Sequence, residues 1–274
     1  MVIQQPPFSF TKLVYSAITR TPRELALFQP FAISVDNFFP HYKVLNGFES
    51  LFGSVDHRPN FVFNATFPLM LQCICQSSIP SNLLGLIHIS SEIIPLKKQN
   101  WRLPSVVSVE LMTATENEKG ILYEIRTSVW QNKELTIVNI NKMLDKNRYY
   151  KGSSAPISQD NKITTELASY KITQKMVRNY ASISRDYNPI HISNWLAKQF
   201  GLKCAIVHGM YNAHLAINEV MLEEDNKYGS LLVEFNKPCF IPASMVLTKT
   251  EDAYSMYSSD LSERFVKISF KSAQ

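Results

Sequence analysis

The chain has 274 residues, 45% of them hydrophobic, which is enough for a substantial buried core in one large domain or two of ordinary size. Its 28 basic and 23 acidic residues give a formal charge of +5 with no run of five like charges, so nucleic-acid binding is not indicated. This mild excess suits a ligand with phosphates or an acidic carrier protein, and equally an ordinary solvated surface.

The first half of the chain is predicted to contain one helix followed by several strands. The segment from Phe61 to Ser77 is mostly apolar and has the length of a helix. Strand-like runs follow at Leu83 to Leu96, Ser105 to Thr113, Gly120 to Trp130 and Leu135 to Lys142.

A polar stretch from Lys146 to Lys162 contains glycine, serine and proline and is typical of a linker. We therefore predict two domains, residues 1–150 and residues 151–274. In the second domain, Met210 to Leu222 is again an apolar helical segment. Strand-like runs follow it at Ser230 to Phe240, Ser244 to Glu251 and Arg264 to Phe270.

The same order of elements in both halves predicts an internal repeat. One alignment of apolar positions supports it: Leu84, Leu86, Ile93, Ile94 and Pro95 fall 147 residues before Leu231, Val233, Phe240, Ile241 and Pro242. Each half would be an antiparallel sheet wrapped around one apolar helix, which is an α+β architecture. Neither half has the glycine-rich loop of a Rossmann or P-loop protein.

The lack of a recognisable targeting signal and the cysteine usage predict a cytoplasmic protein. No segment approaches about 18 consecutive apolar residues, and the first residues lack a signal-peptide pattern, so we expect neither a membrane span nor export. The four cysteines are too sparse for a disulfide framework and have no zinc spacing: Cys73, Cys75, Cys204 and Cys239.

Two titratable residues, Asp186 and His191, lie five positions apart around Asn188 and Pro189. Asn188 is a good N-cap and Pro189 a good first helical residue, so a short helix is predicted from Pro189 to about Phe200. Asp186 then lies in the preceding turn and His191 in the first turn, where they can hold one water between them as base and acid. On spacing alone, ordinary turn and capping residues with a lone histidine are the favoured interpretation.

A second cluster, Val207 to Met210, lies just before the apolar helix of the second half. Free backbone amides at a helix start bind developing negative charge, and Gly209 lets a ligand approach the backbone closely. A glycine at an ordinary junction between loop and helix is the simpler interpretation.

Taken together, the two clusters resemble the MaoC-like dehydratase family, which includes the (R)-specific enoyl-CoA hydratases. The family pattern is Tyr or Phe, then Ser-Gly-Asp-x-Asn-Pro-x-His, then Ile-x-His-Gly-Met. This chain has Tyr180, Ser184, Arg185, Asp186, Asn188, Pro189, Ile190 and His191, then Ile206, His208, Gly209, Met210 and Tyr211. Arg185 stands where the family has glycine.

The resemblance implies a double hot-dog fold in which the first half is a non-catalytic partner that helps form an acyl tunnel. The looser match of this half consists of Phe67, Pro68, Leu69 and the run Leu84, Gly85, Leu86, Ile87 and His88. In the second half, Asp186 and His191 would activate water, Asn188 would orient them, and the Gly209 amide would bind the thioester oxygen. Substrate contacts are expected from Ser184, His208 and Tyr211.

The implied reaction is reversible hydration of a trans-2-enoyl thioester, or dehydration of an (R)-3-hydroxyacyl thioester, carried on coenzyme A or on acyl-carrier protein. No metal ion or other cofactor is implied, and a homodimer is possible. Two alternatives remain: a hot-dog protein that binds acyl thioesters or a protein partner without turnover, for which Arg185 argues, and a thioesterase.

Several other residues have simpler interpretations. His57, His88 and His214 are isolated in the sequence and are expected to be hydrogen-bonded or exposed rather than catalytic. Trp130 and Trp195 are expected to be packing residues. Lys198 and Lys203 follow the motif and either meet phosphates of coenzyme A or are ordinary surface lysines.

Overall fold

The computed structural model describes residues 2–4, 9, 11–12, 28–79, 85–146, 165–223 and 228–272. Within it the chain divides into two compact units, Met1–Gly152 and Ser153–Gln274. The predicted linker, apart from Lys146, lies outside the described residues, as do Leu83 and Leu84. Among the helices described, none is long and apolar enough to cross a membrane.

In the first unit, six strands and two α-helices are described. Strands β1 (Val2–Gln4) and β2 (Phe31–Phe38) are followed by helix α1 (Tyr42–Phe52), a 3₁₀ turn (Val55–His57) and helix α2 (Phe61–Gln76), then by β3 (Leu86–Pro95), β4 (Ser105–Asn117), β5 (Gly120–Gln131) and β6 (Glu134–Lys146). Their order in the sheet is β1-β2-β4-β5-β6-β3. The β1–β2 pair is parallel, and the pairs β2–β4, β4–β5, β5–β6 and β3–β6 are antiparallel.

Helix α2 forms the centre of the first unit. It is apolar on nearly every side and most of its 16 residues are buried, as expected for a helix enclosed by other elements rather than lying on a surface. Phe61 at its start packs edge-on against Trp101, with ring centroids 5.4 Å apart. The predicted helix is confirmed and ends one residue earlier than expected.

The second unit contains five strands and four helices in the described residues. Strand β7 (Thr165–Ile172) precedes helices α3 (Gln174–Ser184), α4 (Pro189–Ile192), α5 (Asn194–Gln199) and α6 (Gly209–Glu223). Strands β8 (Tyr228–Phe235), β9 (Ala243–Lys249), β10 (Tyr254–Ser258) and β11 (Arg264–Ser272) follow. Their order is β8-β11-β10-β9-β7, and every printed pair among them is antiparallel.

The two units share one topology, which confirms the predicted repeat. Apart from β1, each unit has a strand and a central helix followed by four strands. Strand β2 pairs with β4 and β3 with β6, just as β7 pairs with β9 and β8 with β11. Sheets wrapped in this way bury one face against the helix, so strand side chains alternate between the core and the opposite face.

The register proposed for the repeat is wrong. Leu96 is the first residue after β3, and its backbone N–H donates to the carbonyl of Thr136 on β6. Asn236 is the first residue after β8, and its backbone N–H donates to the carbonyl of Phe265 on β11. The two residues are therefore equivalent, and they are 140 residues apart rather than 147. An odd difference exchanges the two faces of a strand. Because β8 ends at Phe235, the predicted strand from Ser230 to Phe240 is also too long.

Candidate active site

The loop after helix α3 is fixed by a chain of local hydrogen bonds. Ser184 donates its hydroxyl to the Tyr180 carbonyl at 3.0 Å and accepts the Asp186 amide at 3.2 Å. The Asp186 carboxylate accepts the Asn188 amide at 3.2 Å, and the Asn188 side chain accepts the Ile190 amide at 3.3 Å. Asn188 is therefore the N-cap of α4, as predicted, and the backbone around Asp186 is held in one conformation.

Arg185 ends helix α3 in the left-handed backbone region, with φ of 60° and ψ of 19°. A side chain in this conformation costs free energy that glycine does not pay. The arginine therefore adopts the backbone conformation that glycine would adopt more easily, and the turn that presents Asp186 is formed.

Two short helices replace the single helix predicted from Pro189 to Phe200. Ser193 is extended, with φ of −145° and ψ of 124°, and its side chain accepts the Leu196 amide to start α5. Serine competes with the helix for backbone hydrogen bonds and favours a cap, which is why the helix is interrupted there. Helix α5 ends at Gln199, one residue before the predicted end at Phe200, and Gly201 just beyond it is left-handed, with φ of 79°.

His191 lies at the third position of α4 and is buried. Its backbone carbonyl accepts the Gln174 side chain at 2.9 Å, and its Nδ1 lies 2.9 Å from the carbonyl oxygen of Ile206. Because a carbonyl only accepts, the neutral ring carries its proton on Nδ1 and leaves Nε2 with a free lone pair.

Burial is the main influence on the protonation of His191. It lowers the pKa of the imidazole below its usual value, because the cation is poorly solvated, while the Asp186 carboxylate and the Ile206 carbonyl act in the opposite direction. At neutral pH the ring is therefore neutral and its Nε2 is able to accept a proton.

The structure brings Asp186 and His191 together, as their spacing predicted. A carboxylate oxygen of Asp186 and one ring nitrogen from each of His191 and His208 lie within 4.8 Å of one another. A water molecule can therefore bridge the carboxylate and the imidazole, which is the arrangement that acid and base catalysis of hydration requires.

His208 contacts both residues of this pair. Its Nε2 donates to the backbone carbonyl of Asp186 at 3.0 Å, and its ring stacks on that of His191 with centroids 3.8 Å apart and an interplanar angle of 26°. Tyr180 packs edge-on against it at 5.1 Å. Burial and the nearby His191 keep the pKa of His208 well below its usual value, so this ring is neutral as well.

Three residues expected to contact substrate are almost completely buried. Ser184 is 0%, His208 2% and Tyr211 3% exposed. Tyr211 stacks on Tyr180 with centroids 4.8 Å apart, and burial raises the pKa of its hydroxyl. Each of the three contacts Tyr180, Asp186 or His191.

Gly209 is the first residue of helix α6. Within the described part of the chain its amide makes no hydrogen bond, and it lies at the positive end of a 15-residue helix. A Cβ atom at this position would lie 2.8 Å from the ring of Phe235, so close packing as well as chemistry explains the glycine.

Asp186, His191 and His208 are residue types that bind metals, but their arrangement does not suit an ion. Nδ1 of His191 and Nε2 of His208 already face backbone carbonyls. The two rings lie nearly parallel, so their remaining lone pairs cannot converge on one ion about 2.0 to 2.1 Å from each nitrogen.

The other histidines have the following surroundings. Nε2 of His88 is 3.0 Å from the Asn141 side chain, and burial lowers the pKa of His88 to about 4, so this residue is hydrogen-bonded as expected. His214 is fully buried with its ring 6.0 Å from Tyr180, while the side chain of His57 lies outside the described residues.

Two groups that position His191 were not predicted from the sequence, and one aromatic residue lies on the surface rather than in the interior. Gln174 and the Ile206 carbonyl position His191, but nothing in the sequence marks a backbone carbonyl or a distant glutamine as its partner. Trp195 was expected to pack in the interior and is 69% exposed, so that prediction is wrong.

Comparison with known proteins finds similarity to one family in the second half of the chain. The model of the MaoC-like domain matches residues 158–254. The 3-hydroxyacyl-thioester dehydratase X of Mycobacterium tuberculosis is 28% identical over 195 residues, covering 70% of this chain and 69% of that protein.

Solved structures show the fold. HtdX of M. tuberculosis superimposes with a TM-score of 0.75 and 19% identity, covering 88% of this chain and 99% of that one. A conserved hypothetical protein of M. tuberculosis described as having a double hot-dog fold matches with a TM-score of 0.56 and 10% identity, covering 90% of this chain and 96% of that one. The predicted α+β double hot-dog fold is confirmed.

Proposed function

We propose that this chain belongs to the MaoC-like dehydratase family, whose domain model matches residues 158–254, and that it reversibly hydrates trans-2-enoyl thioesters to (R)-3-hydroxyacyl thioesters. The observation that carries the proposal is that a carboxylate oxygen of Asp186 and a ring nitrogen of His191 lie within 4.8 Å of each other. Because Nδ1 faces the Ile206 carbonyl, Nε2 of the neutral ring is the nitrogen that can accept a proton. Its similarity to a protein named 3-hydroxyacyl-thioester dehydratase supports the same substrate class.

In the proposed hydration, Asp186 and His191 hold one water between them. The imidazole accepts a proton from the water as the water oxygen forms a bond to C3 of the enoyl group. Electrons of the C2=C3 double bond move toward the thioester, giving an enolate-like state. C2 then receives the transferred proton from the His191 imidazolium, so both hydrogens and the oxygen of the water enter the product and the ring returns to its neutral form. Dehydration is the reverse.

Negative charge develops on the thioester oxygen during this reaction. The amide of Gly209, unpaired within the described chain and located at the start of α6, is proposed to bind that oxygen. A fixed donor of this kind contributes about 2.7 to 4 kcal/mol to the transition state in comparable sites.

The remaining motif residues are proposed to position the reacting groups. Asn188 caps α4 and fixes the loop that carries Asp186. Ser184, His208 and Tyr211 were expected to contact substrate, but their burial favours support of Asp186 and His191 instead. Residues 151–274 would then be the catalytic domain, and residues 1–150 the non-catalytic partner that helps form the acyl tunnel.

We also propose a cytoplasmic location, since a sparse set of cysteines that form no disulfide is typical of a reducing compartment. The acyl group would arrive on coenzyme A or on a carrier protein, and a homodimer remains possible.

Hydration of crotonyl-CoA and of a longer trans-2-enoyl-CoA, followed by loss of the enoyl absorbance, tests the activity. Asp186→Asn and His191→Gln should each reduce turnover by about 10² to 10⁴-fold, while Asp252→Asn, an exposed turn residue, should leave it unchanged. Chiral analysis of the product tests the (R) assignment.

The alternative of a binding protein without turnover rests on Arg185, which stands directly before Asp186 where the family has glycine. It predicts that the wild type binds an enoyl thioester without consuming it. Gain of turnover in Arg185→Gly would favour this alternative, whereas turnover by the wild type would reject it.

A further inference from the structure

Charge is strongly segregated in the second half of the sequence. Residues 171–209, which contain the whole catalytic motif, have six basic residues and a single acidic one, Asp186, so their net charge of +5 equals that of the entire chain. Residues 210–263 have nine acidic and three basic residues. The segment that carries the predicted site residues is therefore net positive, and the segment that follows it is net negative.

Most of these cations face solvent. Lys171, Lys175, Arg178, Lys198 and Lys203 are all exposed. In the part of the chain that the structure describes, none of these five side chains forms an ion pair. Their charge is thus available to an external anion or an acidic surface.

Contacts within the unit place two of these cations, Arg178 and Lys203, near the site. Arg178 on α3 donates its Nε to the Ile192 carbonyl at 3.1 Å, one residue after His191. Lys203 lies with its Nζ 4.2 Å from the ring centroid of Phe240, whose backbone pairs with Ile206. Ile206 receives the hydrogen bond from His191. Arg178 therefore contacts the residue next to His191, and Lys203 contacts the residue that pairs with the hydrogen-bond partner of His191.

Exposed apolar side chains are interleaved with the charges. Trp195 is the most exposed of the large hydrophobic side chains that the structure describes, at 69%, and Tyr187 and Phe200 are each 41% exposed. We call the exposed residues of segment 171–203 the basic aromatic surface. Tryptophan, tyrosine and arginine are enriched at protein interfaces, and an isolated solvated face does not need them.

The pattern distinguishes between two ways of presenting a thioester. The phosphates of coenzyme A need a few donors that converge on one small site, whereas here five cations are spread over β7, α3, α5 and the following loop. A spread of positive charge mixed with aromatic side chains instead matches a broad acidic protein surface, which it attracts at long range and orients on contact.

We propose that the basic aromatic surface docks an acidic acyl-carrier protein, which presents the acyl thioester on its phosphopantetheine arm to Asp186 and His191. This inference rests on the proposed hydratase activity and specifies the partner that delivers its substrate.

The test compares trans-2-enoyl groups of the same chain length on an acyl-carrier protein and on coenzyme A. In Lys175→Glu/Lys198→Glu, kcat/KM for the carrier-linked substrate should fall by about tenfold or more, mainly through KM, because like charges oppose docking. The same variant should change kcat/KM for the coenzyme A substrate by less than about twofold. Raising the salt concentration should weaken the wild-type carrier reaction and have little effect on the variant.

Two further variants separate docking from general damage. Trp195→Ala should lower carrier affinity without lowering the melting temperature, because this side chain is exposed. Lys98→Glu/Lys119→Glu changes the charge equally at two exposed lysines of the first unit and should leave both substrates unaffected.

The outcomes are distinguishable. Equal losses on both substrates would show that the lysines bind phosphates of coenzyme A, and unchanged kinetics on both would show that the surface does not dock a carrier; either result overturns the inference. If the wild type hydrates neither substrate, the proposed function fails, and direct binding of acyl-carrier protein to His191→Gln by calorimetry still decides whether docking occurs. Absence of that binding, or binding to anionic vesicles in its place, overturns the inference.

Discussion

The imidazole rings of His191 and His208 stack with centroids 3.8 Å apart, and His208 also donates to the backbone carbonyl of Asp186 at 3.0 Å. One buried residue therefore touches both members of the candidate catalytic pair. We infer that His208 helps to fix the separation of Asp186 and His191.

Replacing His208 should reduce activity through positioning. His208→Phe keeps a ring beneath His191 but leaves the Asp186 carbonyl without its donor, so kcat/KM for a trans-2-enoyl thioester should fall by about 5- to 150-fold, corresponding to about 1 to 3 kcal/mol. His208→Gln can retain an N–H donor and should keep more activity than the phenylalanine variant. Equal activity of wild type and His208→Phe would contradict the positioning role.

The pH dependence of kcat/KM should show an acidic limb that belongs to His191. Because burial lowers the pKa of this histidine, the neutral ring persists below its ordinary value of 6.5. Activity should therefore be retained from pH 7 to below 6.5 and decline only as the pH falls further and Nε2 becomes protonated. Any residual activity of His191→Gln should lack this limb; persistence of the same limb would assign it to another group.

Stability should decrease in mild acid because several histidines are buried in the neutral form. The pKa values of His88, His191 and His208 are all lowered in the folded state, that of His88 to about 4. Between about pH 6.5 and 4 the unfolded chain therefore binds more protons than the folded one, and the free energy of unfolding falls as the pH falls.

Urea unfolding at pH 7.5 and 4.5 measures this change. His88→Gln cannot titrate and should lose less stability across the interval than the wild type does. An identical loss in the variant would show that His88 does not contribute.

Adding a methyl group at Gly209 should affect packing before it affects chemistry. Gly209→Ala places a Cβ about 2.8 Å from the Phe235 ring and should destabilise the protein by about 1 to 3 kcal/mol in a denaturant titration. Gly209→Ala/Phe235→Leu provides space and should recover part of that stability. Catalysis that is not recovered with it would indicate that the amide must be placed accurately; full recovery of both would reduce Gly209 to a packing residue.

Arg185→Gly and Gly201→Ala should change stability in opposite directions. Both positions have left-handed backbone, with φ of 60° and 79°. Arg185→Gly relieves a conformation that costs a side chain about 1 kcal/mol, whereas Gly201→Ala introduces that cost without a steric clash, since nothing lies within 4 Å of its Cβ position. Melting temperatures measured by circular dichroism should rise in the first variant and fall in the second.

The sequence by itself determined the parts of this protein that depend on local composition. Side-chain periodicity predicts the apolar helix α2 and the alternating strands β4 to β6, and capping preference predicts the N-cap at Asn188. Both signals depend only on residues close together in the chain. The spacing of the motif also predicted that Asp186 and His191 would lie close together, because the turn and the first helical turn are adjacent in the chain.

Only the tertiary structure decided what depends on distant neighbours. The repeat register and the end of β8 are set by hydrogen bonds to β6 and β11, and an apolar pattern of period two does not distinguish a strand from a buried loop. The Ile206 carbonyl that fixes the His191 tautomer carries no signal in the sequence, since every residue has one. The stacking of His208 and the exposure of Trp195 likewise arise from packing between elements, which local propensity does not encode.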